Sequence, residues 1–114
     1  MSQELQIITR TYDLLKWTLE HTARFDRKHR HGIGNRIETQ LHGFLDSLVE
    51  AKYTNQKSLL LQQAGYRLEH TRLLYRLAKD LRMLGITSYG FAADQVNDLS
   101  GQLTAWRRSV DNRK

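Results

Sequence analysis

No proline occurs anywhere in these 114 residues, so no segment is barred from running on as helix by a missing N–H or a ring clash. Against that background apolar side chains recur at spacings of three and four, the period of one helix face. In 3–24 they are Leu5, Ile8, Tyr12, Leu15 and Leu19. In 35–53 they are Ile37, Leu41, Phe44, Leu48 and Ala51, widened by Leu45 and Val49. In 56–84 Leu74, Ala78 and Leu81 keep the period, with Leu73, Leu77 and Leu84 broadening the arc, and in 88–110 it runs Ala92, Val96, Leu99, Leu103, Trp106 and Val110. Four amphipathic helices with short connections predict an all-α, up-down-up-down four-helix bundle filling 1–114 as a single domain.

Local signals predict where these helices begin and end. Ser2 is placed to cap the first, with Glu4 in the turn where the helix dipole favours negative charge. Thr54 and Asn55 supply the cap of the third helix, Gly85 its C′ residue, and Thr87 or Ser88 the cap of the fourth. Arg107, Arg108, Arg113 and Lys114 suit the closing end of that last helix. Gly65, inside the third, costs about 1 kcal/mol relative to alanine and predicts a close backbone approach or a bend. Leu14 and Trp17 fall off the first seam and predict a second contact surface.

Residues 25–34, FDRKHRHGIG, break the period and read as a basic loop turned by Gly32 and Gly34. Arg24, Arg27, Lys28 and Arg30 crowd around it, and such like charges repel one another unless an anion meets them. A second concentration lies on the third helix, where Arg72, Arg76 and Lys79 fall within about 60° of one another. Only Glu69 and Asp80 are spaced to pair with them. Across the chain 18 Lys and Arg face 12 Asp and Glu, a formal charge of +6, which points to a polyanion or an acidic protein surface as partner.

Catalytic signatures are scarce. With no cysteine, thiol chemistry, cysteine zinc sites and disulfides are excluded, and a reducing, cytoplasmic setting is expected. The first fifteen residues lack the basic and apolar regions of a secretion signal, and no uncharged apolar run approaches ~18 residues, so no membrane span is expected. The glycines at 32 and 34 have neither the spacing nor the preceding strand of a nucleotide loop. His29 and His31 form an HxH pair, and His21, His42 and His70 are scattered, so no metal or cofactor is expected. Asp94 and Asp98, one turn apart, read as solubilising charge. An enzymatic alternative is a basic all-helical ribonuclease of HEPN type, which pairs Arg with a His four to six residues on; Arg24 with His29 and Arg36 with His42 match that loose spacing.

Three stretches, GNRIETQLHGFLDSLVEAKYTNQKSLLLQQA, LEHTRLLYRLAKDLRMLG and LSGQLTAWRRS, resemble the accessory variability determinant (Avd) family of diversity-generating retroelements, over residues 12–109. The most specific parts are Arg36-Ile37-Glu38, Glu50-Ala51-Lys52-Tyr53 and the run from Leu77 to Leu81. A proline common in the family's first loop is absent, and Thr104-Ala105-Trp106 stands where Gly-Gly-Trp is more typical. The bundle is shared with the ribosomal-RNA intervening-sequence proteins, so a purely structural oligomer is a further alternative.

The resemblance implies a homopentameric, positively charged barrel, bacterial or phage-encoded, that binds the element's reverse transcriptase and RNA or DNA. It implies a non-catalytic helper in mutagenic retrohoming, the adenine-mutagenic copying of template-repeat RNA into cDNA. Arg72, Arg76 and Lys79, with Arg82 beyond them, correspond to the basic surface of the family's third helix, and Arg24, Arg27, Lys28 and Arg30 to a basic loop region. Contacts of this kind would act through counterion release and weaken steeply with salt.

Overall fold

Four long helices make up most of residues 2–112, the residues that the computed structural model describes: α1 Gln3–Thr22, α2 Asn35–Tyr53, α3 Lys57–Asp80 and α4 Ile86–Asp111. No strand occurs among them. Each helix packs on the next in sequence and α4 returns against α1, so α1 and α3 stand diagonally across the bundle. Cross-contacts fix the directions: Trp17 lies against Phe91 and Arg10 against Asp98, while Arg72 meets Asn97 and Ser58 meets Asp111. This is the up-down-up-down arrangement, drawn out to 47 × 23 × 21 Å.

The core follows the predicted seams in α2 and α4. Ile37, Leu41, Phe44, Leu48 and Ala51 are fully buried, as are Ala92 and Val96, with Leu99, Leu103 and Trp106 nearly so. Each large aliphatic side chain among these contributes about 1.5–3 kcal/mol by leaving water.

In α1 the inward face is a different one. Ile7, Thr11, Leu14, Leu15, Thr18 and Thr22 are buried, whereas Leu5, Tyr12 and Leu19 of the predicted seam are exposed. Threonine can occupy that core because its hydroxyl bonds back into its own helix: Thr11 donates to Ile7 O and Thr18 to Leu14 O, each at 2.7 Å. Thr18 Oγ1 also meets Tyr75 Oη of α3 at 2.5 Å, and Thr22 donates to Glu38 Oε2 of α2 at 2.5 Å. Since the Thr18 proton goes to Leu14 O, Tyr75 is the donor of the pair that bridges the diagonal. Burial pushes the Tyr75 phenol well above its ordinary range.

Ser2 caps α1 as predicted, accepting from Leu5 N–H at 3.2 Å, with Glu4 in the first turn. The other ends differ from expectation. α3 stops at Asp80 instead of 84, because the chain must turn early to carry Leu84 into the core, where it is 5 % exposed. The C′ residue is Arg82, at φ 63°, while Gly85 has an extended conformation and precedes α4 as its N-cap. Arg82 N–H reaches Lys79 O at 2.9 Å and Met83 N–H reaches Ala78 O at 2.8 Å, the bond pair of a Schellman closure. Thr87 and Ser88 consequently fall inside the first turn of α4.

At the opposite end Gln56, not Thr54 or Asn55, is the N-cap of α3, although Thr54 Oγ1 accepts its N–H at 3.3 Å. Lys57 Nζ donates to Ala51 O at 2.6 Å and Lys52 O at 3.2 Å, covering the last carbonyls of α2. Gly65 marks no close backbone approach: α3 is continuous through it, and a methyl group there would meet only Arg107 Nη1 at 3.7 Å and Leu103 Cδ2 at 3.8 Å. Arg113 and Lys114 lie outside the described residues.

Candidate functional site

The connection from α1 to α2 and that from α3 to α4 emerge at the same end of an up-down-up-down bundle. Residues 20–36 and 76–91, which form that end, contain eight of the 18 Lys and Arg but only three of the 12 carboxylates. Most of the chain's excess charge is therefore gathered there.

The first connection is more ordered than a loop. After α1, Arg24 N–H bonds to His21 O and Phe25 N–H to Thr22 O, each at 3.0 Å. Phe25 is then turned inward and buried. Asp26 O accepts from His29 N–H at 2.8 Å and Arg30 N–H at 2.7 Å, starting a short helical turn, Arg27–His29, that passes through a π-helical turn, Arg30–Gly34, directly into α2. The glycines do not reverse the chain, and neither has a positive φ. With Phe25 acting as the anchor, Arg24, Arg27, Lys28 and Arg30 are all left exposed. Among the described residues none of the four forms an ion pair; Arg30 donates only to Ala23 O at 3.4 Å. Arg82, exposed at the tip of the second connection, has no carboxylate partner among them either.

The α3 stripe is different. Arg72 Nε lies 3.3 Å from Glu69 Oε1 and its Nη1 donates to Asn97 Oδ1 at 2.5 Å. Arg76 Nε is 4.0 Å from Asp80 Oδ2, and Lys79 Nζ is 3.4 Å from Asp80 Oδ1 and 4.8 Å from the centre of the Tyr89 ring. Each of the three thus has a carboxylate of its own chain in reach, so the picture of an unneutralised array fails for the stripe. Helical spacings of three and four account for the Glu69–Arg72 and Arg76–Asp80 pairs. Such exposed pairs are worth only about 0–1 kcal/mol and yield to a competing anion, whereas the cations of the connections have no carboxylate partner among the described residues.

No hydrogen bond joins Arg24 to His29 or Arg36 to His42 among the described residues, and no group of three or more His, Asp or Glu there is arranged to hold a metal. Asp98, read as solubilising charge, pairs with Arg10 at 3.5 Å and accepts from Gln102. No helix among the described residues is long and apolar enough to cross a membrane.

The family model described as bAvd-like matches residues 5–110, nearly all of the four helices and both basic connections. The chain belongs to the bAvd-like family. Comparisons with curated proteins and with solved structures gave no match.

This bAvd-like bundle also has two apolar ridges outside its own core. On α1, Leu5, Tyr12 and Leu19 are 43, 60 and 41 % exposed; on α3, Leu59, Tyr66 and Leu73 are 54, 69 and 58 % exposed. Both triplets repeat every seven residues, and Leu77 extends the second. On α1 the sequence period finds the ridge but assigns it to the core, because it cannot distinguish a face turned to the chain's own interior from one turned outward. Trp17, predicted to face a second surface, stacks on His21 at 3.8 Å and tilts against Phe91 at 5.0 Å.

Proposed function

We propose that this bAvd-like chain is a non-catalytic accessory protein of a diversity-generating retroelement, binding the element's reverse transcriptase and nucleic acid and supporting mutagenic cDNA synthesis. The observation that carries this reading is the set of unpaired, exposed cations at one end, Arg24, Arg27, Lys28, Arg30 and Arg82, joined there by the α3 stripe. Their geometry suits phosphate contacts on a backbone, which position a nucleic acid without reading its bases. The resemblance to the Avd family is the reason for proposing the element's reverse transcriptase as the protein partner.

Assembly into a ring is part of the proposal. The α1 and α3 ridges differ from each other and lie on diagonal helices, so they suit a head-to-tail contact that closes into a cyclic oligomer. Five subunits is the number that the Avd resemblance implies.

The test combines binding and context. Wild-type protein should retain RNA or DNA oligonucleotides at moderate salt and co-purify with the reverse transcriptase encoded beside it. Changing Arg24, Arg27, Lys28 and Arg30 to Gln should flatten the salt dependence by ~0.7 per lost contact on single strands and ~0.9 on B-form DNA. The corresponding change of Arg72, Arg76 and Lys79 should flatten it less. A wild-type protein that binds neither partner, or a loop variant with an unaltered salt slope, refutes the reading.

A further inference from the structure

Along the seam between α2 and α3, starting beside the π-helical turn, runs a groove of ≈290 Å³ that includes His31, Arg36, Gln40 and His70 in its lining. No lining residue is a carboxylate. A π-helical turn holds an extra residue per turn and often marks a functional site; here it sets His31 and Gly32 at the mouth of the groove.

One helical turn farther along the same seam, the guanidinium of Arg67 lies flat against Gly43. A Cβ built on Gly43 would stand 2.6 Å from Arg67 Cζ and 2.8 Å from Nε, so the missing side chain is what lets the guanidinium settle on the α2 backbone. Gln40 to Gly43 and Arg67 to His70 are each three residues apart, so the Arg67 slot continues the groove floor. Among the described residues the guanidiniums of Arg36 and Arg67 and the rings of His31 and His70 have no hydrogen-bond acceptor and no ion-pair partner.

We propose that this α2–α3 groove is a phosphate-binding site, with Arg36 and Arg67 as its charged donors and His31 and His70 completing the cradle. Guanidinium groups match phosphate oxygens in pairs, and a bond to a charged acceptor is about twice as strong as a neutral one. The phosphate is either a free or terminal monoester or a bridging diester of a nucleic acid. The site uses none of the cations on the connections, so it and the proposed accessory function can fail separately.

The test is a ¹H–¹⁵N NMR titration of the intact protein with inorganic phosphate, with chloride at equal ionic strength as reference. Saturable shifts at Gly32, Arg36, Arg67 and His70 that chloride does not produce are expected. Arg36→Gln with Arg67→Gln should weaken binding about tenfold or more. Gly43→Ala, which displaces the Arg67 guanidinium while improving helix propensity, should weaken it without unfolding. Arg27→Gln with Lys28→Gln should leave it unchanged. Competition by an RNA oligonucleotide only when it bears a 5′-phosphate identifies a terminal monoester as the source; equal competition without one identifies the diester backbone. Shifts no larger than those in chloride, or full affinity in the Arg36→Gln, Arg67→Gln protein, overturn the proposal.

Discussion

Replacing Tyr75 with phenylalanine isolates the one hydrogen bond that crosses the bundle diagonal among the described residues. The ring and its packing remain; only the oxygen is lost, leaving Thr18 Oγ1 bonded to Leu14 O alone. Near neutral pH the variant should be less stable by about 1 kcal/mol, the net worth of one neutral hydrogen bond. In alkali the sign reverses. Burial raises the phenol's pKa in the folded protein, whereas the unfolded chain releases that proton near pH ~10. Above that point the unfolded state holds fewer protons than the folded one, so the native protein loses about 1.4 kcal/mol per pH unit until the folded phenol also titrates. Phenylalanine has no proton to release and is spared this loss.

At pH ~11 the accumulated penalty of about 1.4 kcal/mol exceeds the ~1 kcal/mol contributed by the bond. The two stability curves should therefore cross between about pH 10.5 and 11, with the variant more stable beyond. The other four tyrosines and all the lysines are common to both proteins and drop out of the difference. Urea unfolding followed by circular dichroism at a series of pH values reads it directly, provided the m-values agree. A stability difference that stays constant from neutral pH to beyond pH ~11 would falsify the claim that this phenol is desolvated.

Three further outcomes follow from other parts of the molecule. Arg82→Gly should raise stability by roughly 1 kcal/mol, since glycine adopts the left-handed conformation without a Cβ clash; the same change should weaken nucleic-acid binding, and an unchanged melting temperature would count against backbone strain at this turn. Gly65→Ala should stabilise α3 by up to about 1 kcal/mol, because only ordinary contacts await the methyl group; a loss in a thermal melt would show that the α3–α4 seam is tighter there than described. Tyr12→Asp or Leu73→Asp should shift sedimentation toward the monomer while leaving helical content intact, because each places a charge on an apolar ridge and not in the core; an unaltered oligomer would remove the ridges from the subunit contact.

The legible part of the fold was the part whose inward faces are apolar almost throughout, with Ser47 of α2 the buried exception. In α2 and α4 one stripe of Leu, Ile, Val, Phe, Ala and Trp stands out, and it is the buried one. α1 has two stripes, and the period alone favours Leu5, Tyr12 and Leu19 over Ile7, Thr11, Leu14 and Thr18. The choice falls the other way because threonine satisfies its hydroxyl within the helix and with Tyr75 and becomes a core residue. At the end of α3 the glycine signal at Gly85 misled, since Arg82 occupies the left-handed position. At the candidate site the cations were visible as residues, but which of them had carboxylate neighbours depended on side-chain reach. Phe25, whose burial turns its neighbours outward, was visible only as one apolar letter in a basic run.

The gathering of charge at one end has a consequence for any cyclic assembly. Rotational symmetry keeps every copy pointing the same way, so whatever the number of subunits, their guanidinium-rich tips share a single rim. Such a ring is a sided object. A long polyanion would be drawn to one mouth of it, leaving the outer wall and the far mouth open to a different kind of neighbour.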